Sequence, residues 1–103
     1  MYGMQKKNMI VAFDCDMTLV RYDETPNYDV VWLFRWFYNR GHQCIVWSGG
    51  GKEWAQHWRS RLFDPSWNII VSAKTKEAAA ELKPDIVVDD EFVEFEGAKL
   101  LKV

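Results

Sequence analysis

Four short apolar runs recur along the chain, each closed by a polar or acidic residue, and segments of helical period separate them. Met9-Ile10-Val11-Ala12-Phe13 leads into Asp14, Cys44-Ile45-Val46-Trp47 into Ser48, Ile69-Ile70-Val71-Ser72-Ala73 into Lys74, and Ile86-Val87-Val88 into Asp89-Asp90. Continuous rather than alternating hydrophobicity predicts strands covered on both faces, as in a parallel sheet. Strands are expected over 9–13, after polar Lys6-Lys7-Asn8, and over 43–47, 67–72 and 86–88. A last edge strand is expected over 99–103, after a turn at Gly97. Val30, Leu33, Phe34 and Phe37 recur at helical spacing and predict a helix over 28–40, with Asn27 as N-cap, Asp29 in the first turn and Gly41 as the stop. Trp32 and Trp36 form a neighbouring stripe on it and are expected in a wide core. Trp54, Trp58 and Leu62 predict a second helix over 52–63, and an alanine-rich stretch a third over 75–82, capped by Thr75 and ended by Lys83-Pro84. Lys83 is expected near the last carbonyls of that helix. Strands alternating with helices imply an α/β fold with right-handed crossovers.

A chain of 103 residues is expected to form one domain over 1–103, with roughly two-thirds of its unfolded surface buried. Six Trp, six Phe and four Tyr supply the core. Thirteen basic against fifteen acidic residues leave a net charge of −2, which excludes a bulk positive field for nucleic acid but not a local cationic site. Cys15 and Cys44 fall in or beside the apolar runs and are expected as buried free thiols. No run approaches membrane-spanning length and the first residues lack the apolar core of a signal peptide, so a cytoplasmic location is expected. His42 and His57 have none of the spaced companions of a zinc site, and His57 is expected in solvent.

Asp14 and Asp16 stand at the end of the first strand, where open α/β sheets gather their chemistry. Two carboxylates so close resist desolvation unless a cation or a proton shares the site. The plainer reading is a polar strand exit with an Asx-turn. Likewise Ser48-Gly49-Gly50-Gly51 either lets backbone N–H groups approach an anion at the start of the second helix or is an ordinary flexible turn.

Taken together, Asp14-Cys15-Asp16-Met17-Thr18, Ser48, Lys74 and Asp89-Asp90, each after an apolar run and in this order, resemble the haloacid dehalogenase superfamily of phosphohydrolases. The resemblance spans residues 9–90. It implies a Rossmann-like three-layer domain with strand order 5-4-1-2-3, which brings Asp14, Asp16, Asp89 and Asp90 together at the switch point. It further implies a magnesium ion held by the Asp14 carboxylate, the Asp16 main-chain carbonyl and Asp89, with Asp90 acting through water or orienting the shell. Asp14 would be the nucleophile that forms an aspartyl-phosphate, and Asp16 the general acid and base. Thr18, Ser48, Gly49, Lys74 and backbone N–H groups after Asp14 would hold the phosphoryl oxygens. Lys74 lies nearer the strand end than Lys76, and either could fill the lysine role. An aspartate at position 16 favours a phosphatase over the dehalogenase branch.

The family often inserts a cap domain between its motifs, but those intervals here hold a flap over 19–27 with one helix, and then one helix. No cap is expected. An open site favours a substrate that brings its own surface, such as a phosphoprotein, a phosphorylated glycan or lipid precursor, or a nucleic-acid end. A 3′-phosphate leads by analogy to uncapped relatives. Two rivals stand beside this reading. A receiver-like signalling domain would carry its phospho-acceptor at the end of the third strand, where Ser72-Ala73 offer no carboxylate. A catalytically silent binding module of the same fold would keep the motifs without turnover.

Overall fold

The computed structural model describes residues 8–103; Lys6 and Lys7, read as the polar lead-in to the first strand, lie outside them. The elements follow the chain as β1 (Ile10–Asp14), α1 (Tyr28–Asn39), β2 (Gln43–Ser48), α2 (Lys52–Leu62), β3 (Ile70–Ala73), α3 (Lys76–Leu82), β4 (Ile86–Asp89) and β5 (Lys99–Lys102). All five strands run parallel in the order β3-β2-β1-β4-β5, which is 5-4-1-2-3 read from the other edge. A receiver-like sheet has the order 2-1-3-4-5, and β3 at the edge beside β2 is incompatible with it.

Alternation along the buried strands divides the core between two faces. Val11, Phe13, Cys44, Val46 and Val88 pack with Val30, Val31, Phe34 and Phe37 of α1 and with Ala55 and Trp58 of α2. Ala12, Ile45, Trp47 and Val87 pack on the other side with Ala79 of α3, backed by Val93, Phe95 and Leu100. Helices thus cover both faces, which is why the central strands read as unbroken apolar runs. Phe34 stacks on Phe63 at 4.0 Å and meets Phe13 at 4.8 Å; burying each such ring contributes about 1.5–3 kcal/mol. Both cysteines are buried and free, and no helix among the described residues is long and apolar enough to cross a membrane. A radius of gyration of 13.3 Å is that of a single domain of this length.

Two local expectations are corrected, the tryptophan stripe and the start of the third strand, while Asn27 and Lys83 stand where expected but act through their backbone. Trp32 and Trp36 are 63% and 47% exposed. A lone helix on a sheet buries one stripe, and α1 fills it with Val30, Val31, Phe34 and Phe37, so the second stripe turns to solvent under the guanidinium groups of Arg35 and Arg40. Asn27 occupies the N-cap of α1 without a side-chain hydrogen bond; its carbonyl takes the N–H groups of Val30 and Val31 instead. The third strand starts at Ile70 rather than Trp67, because Trp67 stacks flat on Tyr38 at 4.1 Å. Its carbonyl also accepts from buried Arg59, 2.7 Å away, and the Asn68 N–H donates to the Tyr38 hydroxyl. Those bonds hold residues 67 and 68 sideways, out of the ladder. Lys83 ends α3 through its backbone, in the left-handed region at φ 52°, and its N–H bonds the Ala79 carbonyl. Thr75 caps α3 as expected, its hydroxyl accepting from the Ala78 N–H at 3.0 Å, and Gly41, at φ 87°, follows α1 in a conformation that costs other residues energy.

Candidate active site

The register of the sheet sets the site. Phe13 on β1 pairs with Val88 on β4, so the next residues, Asp14 and Asp89, leave the sheet side by side. Ser48, at the end of β2, and Lys74, just past β3, come from the other flank, joined by the Lys74 N–H donating to the Ser48 carbonyl at 2.8 Å. Parallel strands bring all these ends to one edge of the sheet. There a cleft of about 300 Å³ is lined by Asp14, Asp16, Met17, Ser48, Gly49, Gly50, Lys74, Asp90 and Glu91.

Lys74 is the hub. Its Nζ lies 3.2 Å from Asp14 Oδ1 and 3.0 Å from Asp89 Oδ2, and a Cβ added at Gly49 would meet its Cε at 3.9 Å. Asp89 is fully buried and Asp14 nearly so; Asp89 also accepts from the Glu91 N–H at 3.0 Å. Thr18, wholly buried, receives the Asp90 N–H on its hydroxyl at 3.1 Å, and that hydroxyl stands 3.3 Å from Asp14 Oδ2 and 3.1 Å from Asp90 Oδ1. Having one proton, it donates to one carboxylate at a time. Met17 takes the left-handed conformation, φ 67°, at a cost of about 1–2 kcal/mol for a residue with a Cβ. That reversal turns Thr18 back toward the strand end.

Burial, and next the charge of Asp89, push the Asp14 carboxyl up to about 6, against the pull of Lys74. Burial opposes charge on Lys74 too, but its hydrogen bond to Asp89 and the negative charge of Asp14 outweigh it, so the ammonium titrates above the ordinary lysine value. Burial and the neighbouring aspartates raise the Cys15 thiol to about 12, which leaves it inert as a nucleophile.

Oxygens of Asp14, Asp89 and Asp90 lie within 4.8 Å of one another. One ammonium against three carboxylates leaves two negative charges, the amount one divalent cation supplies. An all-oxygen donor set suits a hard cation. The acidic cluster therefore could hold a metal ion.

No protein-family model, curated protein or solved structure matches the chain.

The expected convergence of four carboxylates is corrected to three. Asp16 lines the same cleft, but its side chain is exposed and turned to Trp54 on α2, whose indole N–H lies 3.0 and 3.1 Å from its two oxygens. The glycine turn is tighter than a loose anion cradle, since the Gly50 N–H is bound by Ser48 Oγ at 2.9 Å and the Gly51 N–H by the Ser48 carbonyl. Of the two candidate lysines, Lys74 lines the cleft beside the aspartates, and Lys76 lines a separate cleft of about 640 Å³ between α3 and residues 94–97. Sequence reasoning missed Trp54. The signal was its place in the first turn after the glycines, but its spacing with Trp58 and Leu62 reads as core. His57, expected in solvent, is half-buried and stacks flat on Trp54.

Replacing Lys74 by Ala strands two buried carboxylates, and at neutral pH it is expected to destabilise the metal-free protein by roughly 3 kcal/mol. Lys76→Ala is expected to stay within about 0.5 kcal/mol of the parent. Urea melts of the two variants check this, and equal, small changes would contradict the pairing.

Proposed function

We propose that this protein is a magnesium-dependent phosphomonoesterase of haloacid dehalogenase type that works through an aspartyl-phosphate on Asp14. The observation that supports it best is the cluster of Asp14, Lys74, Asp89 and Asp90 at the ends of the adjacent parallel strands β1 and β4 and the loop beyond β3. An ion pair serving stability alone has no need of two surplus carboxylates and a cleft beside it. The buried free thiols fit a reducing, cytoplasmic setting.

In this reading the carboxylates of Asp14 and Asp89, with the main-chain carbonyl of Asp16, would hold magnesium, and Asp90 would act through water or orient the shell. When bound, the ion neutralises the acidic cluster and polarises the phosphoryl oxygens. Lys74, the Ser48 hydroxyl and the backbone N–H groups after Asp14 and of Gly49 orient the phosphoryl group and take up charge on its oxygens. Thr18 keeps Asp14 and Asp90 in place. An Asp14 oxygen forms a bond to phosphorus as the ester oxygen leaves, and Asp16 gives that oxygen its proton. Asp16 then takes a proton from the water that attacks phosphorus, which frees Asp14 and releases inorganic phosphate.

No segment between the strands is long enough to close over a small metabolite, so binding energy must come from surface around the cleft. The substrate is therefore a macromolecular or otherwise large phosphomonoester. Phosphate release is to be measured on a 3′-phosphorylated oligonucleotide, a phosphopeptide, sugar phosphates and mononucleotides, with and without EDTA. One of the large substrates is expected to lead, and EDTA to stop release. Release indifferent to EDTA contradicts the metal-dependent reading, and a small metabolite preferred by orders of magnitude in kcat/KM contradicts the open-site argument. Asp16→Asn is expected to slow turnover by about 10²–10⁴-fold, most for esters with poor leaving groups, since those most need a proton.

A further inference from the structure

Asp16 is an exposed side chain on a loop, and such a carboxylate ordinarily samples several rotamers. Here one donor singles out an orientation. The Trp54 Nε1–H reaches both carboxylate oxygens, at 3.0 and 3.1 Å, across 38 residues of sequence. An indole has a single donor and no acceptor, so its whole polar capacity is directed at Asp16.

The surroundings of Trp54 hold it there. His57, one turn further along α2, lies parallel to the indole at 5.1 Å, and Trp58 meets it edge-on at 5.7 Å. On the cleft side the ring presses on the glycine turn. A Cβ added at Gly50 would stand 3.3 Å from Trp54 Cδ1 and 3.3 Å from Ser48 Oγ, closer than most carbon contacts tolerate. Glycine at that position lets the indole and the Ser48 hydroxyl approach the same turn from two sides.

We propose that Trp54 is the positioning residue for Asp16. Its N–H holds the carboxylate at the mouth of the cleft, clear of the cluster formed by Asp14, Asp89 and Asp90, where it can pass a proton to a leaving oxygen and take one from water. Without that bond, Asp16 is free to swing among solvent-facing rotamers or inward as a fourth carboxylate. The proposal rests on the phosphomonoesterase reading and adds to it a residue that the motif pattern does not contain.

Trp54→Phe tests it, because an aromatic ring remains to stack on His57 while the donor goes. Turnover of an alkyl phosphate, whose leaving oxygen needs a proton, is expected to fall about tenfold. Turnover of nitrophenyl phosphate, whose leaving group needs little help, is expected to change less than about twofold, with KM steady for both. In an Asp16→Asn background the same substitution is expected to add nothing, since it acts only through Asp16. Equal slowing of both esters, or full additivity with Asp16→Asn, overturns the positioning role and leaves the phosphatase reading standing. A wild type that releases no phosphate from any ester overturns both. A readout free of turnover and metal guards against a Trp54→Phe variant that folds poorly. In amide correlation spectra, Asp16→Asn is expected to move the Trp54 indole N–H resonance while the indole signals of the other tryptophans stay in place. An unmoved Trp54 signal overturns the proposal.

Discussion

Asp14→Asn is expected to abolish phosphate release and, in the metal-free protein near pH 8, to raise the melting temperature. The two effects have one cause. The carboxylate proposed as the nucleophile is held almost fully buried beside Asp89, where burial raises its pKa to about 6. Relative to an ordinary aspartate, keeping it ionised costs up to about 3 kcal/mol of folding free energy. Asparagine has nearly the same shape, still offers an oxygen to Lys74, and carries no charge to desolvate. Lys74 retains Asp89 at 3.0 Å. Activity should drop by at least about 10³-fold, as for the loss of a covalent nucleophile, while stability rises. Paired melts and phosphate assays decide the matter. A variant that keeps substantial turnover removes the covalent role of Asp14, and one that melts well below the parent removes the claim that its charge is a burden.

Magnesium and pH are expected to act on the same charge in opposite directions. The folded-state pKa of Asp14 lies above the unfolded value, so the folded protein holds the proton more tightly. Stability from this group is fully present below about pH 4 and is lost as pH rises through about 6. In EDTA the melting temperature should therefore fall between about pH 4.5 and 7.5, apart from whatever other groups contribute. Asp14→Asn should flatten that decline. A cation in the cluster replaces the proton, so magnesium should stabilise little at about pH 5 and strongly at about pH 7.5. At a hundred times its dissociation constant it adds about 2.7 kcal/mol, roughly 10 °C or more for a domain of this size. Melts across pH with and without magnesium measure both slopes. An unchanged midpoint at saturating magnesium and neutral pH would show that Asp14, Asp89 and Asp90 do not bind the ion together.

The strands and their acidic ends were legible because burial on both faces leaves unbroken apolar runs that composition cannot hide. Their order was not. Pairing β1 with β4 joins positions far apart in the chain, and an apolar run such as Ile86-Val87-Val88 carries no address for a neighbour. The resemblance, not the pattern of apolar residues, supplied 5-4-1-2-3. Trp32 and Trp36 misled because helical spacing tells which residues share a stripe but not how many stripes a helix can bury. Asp16 misled for a related reason. Its position along the chain is legible, but the direction of its side chain is set by an indole on another element.

One consequence of the topology concerns the making of the protein. β1 is the first strand in sequence and the middle strand in space, and its lower end is fastened by the Ile10 N–H to Asp85, 75 residues on. During synthesis one flank of β1 can be covered by β2 soon after it emerges, while the other must wait for β4. Until then an apolar strand edge stands open, in a sheet whose non-local pairing makes it slow to close. Asp14 gains Asp89 and Asp90 at the same late moment. The nascent chain therefore has no acidic cluster to fill until its sheet is nearly complete, and the step that covers the open flank of β1 is also the step that brings Asp14, Asp89 and Asp90 together.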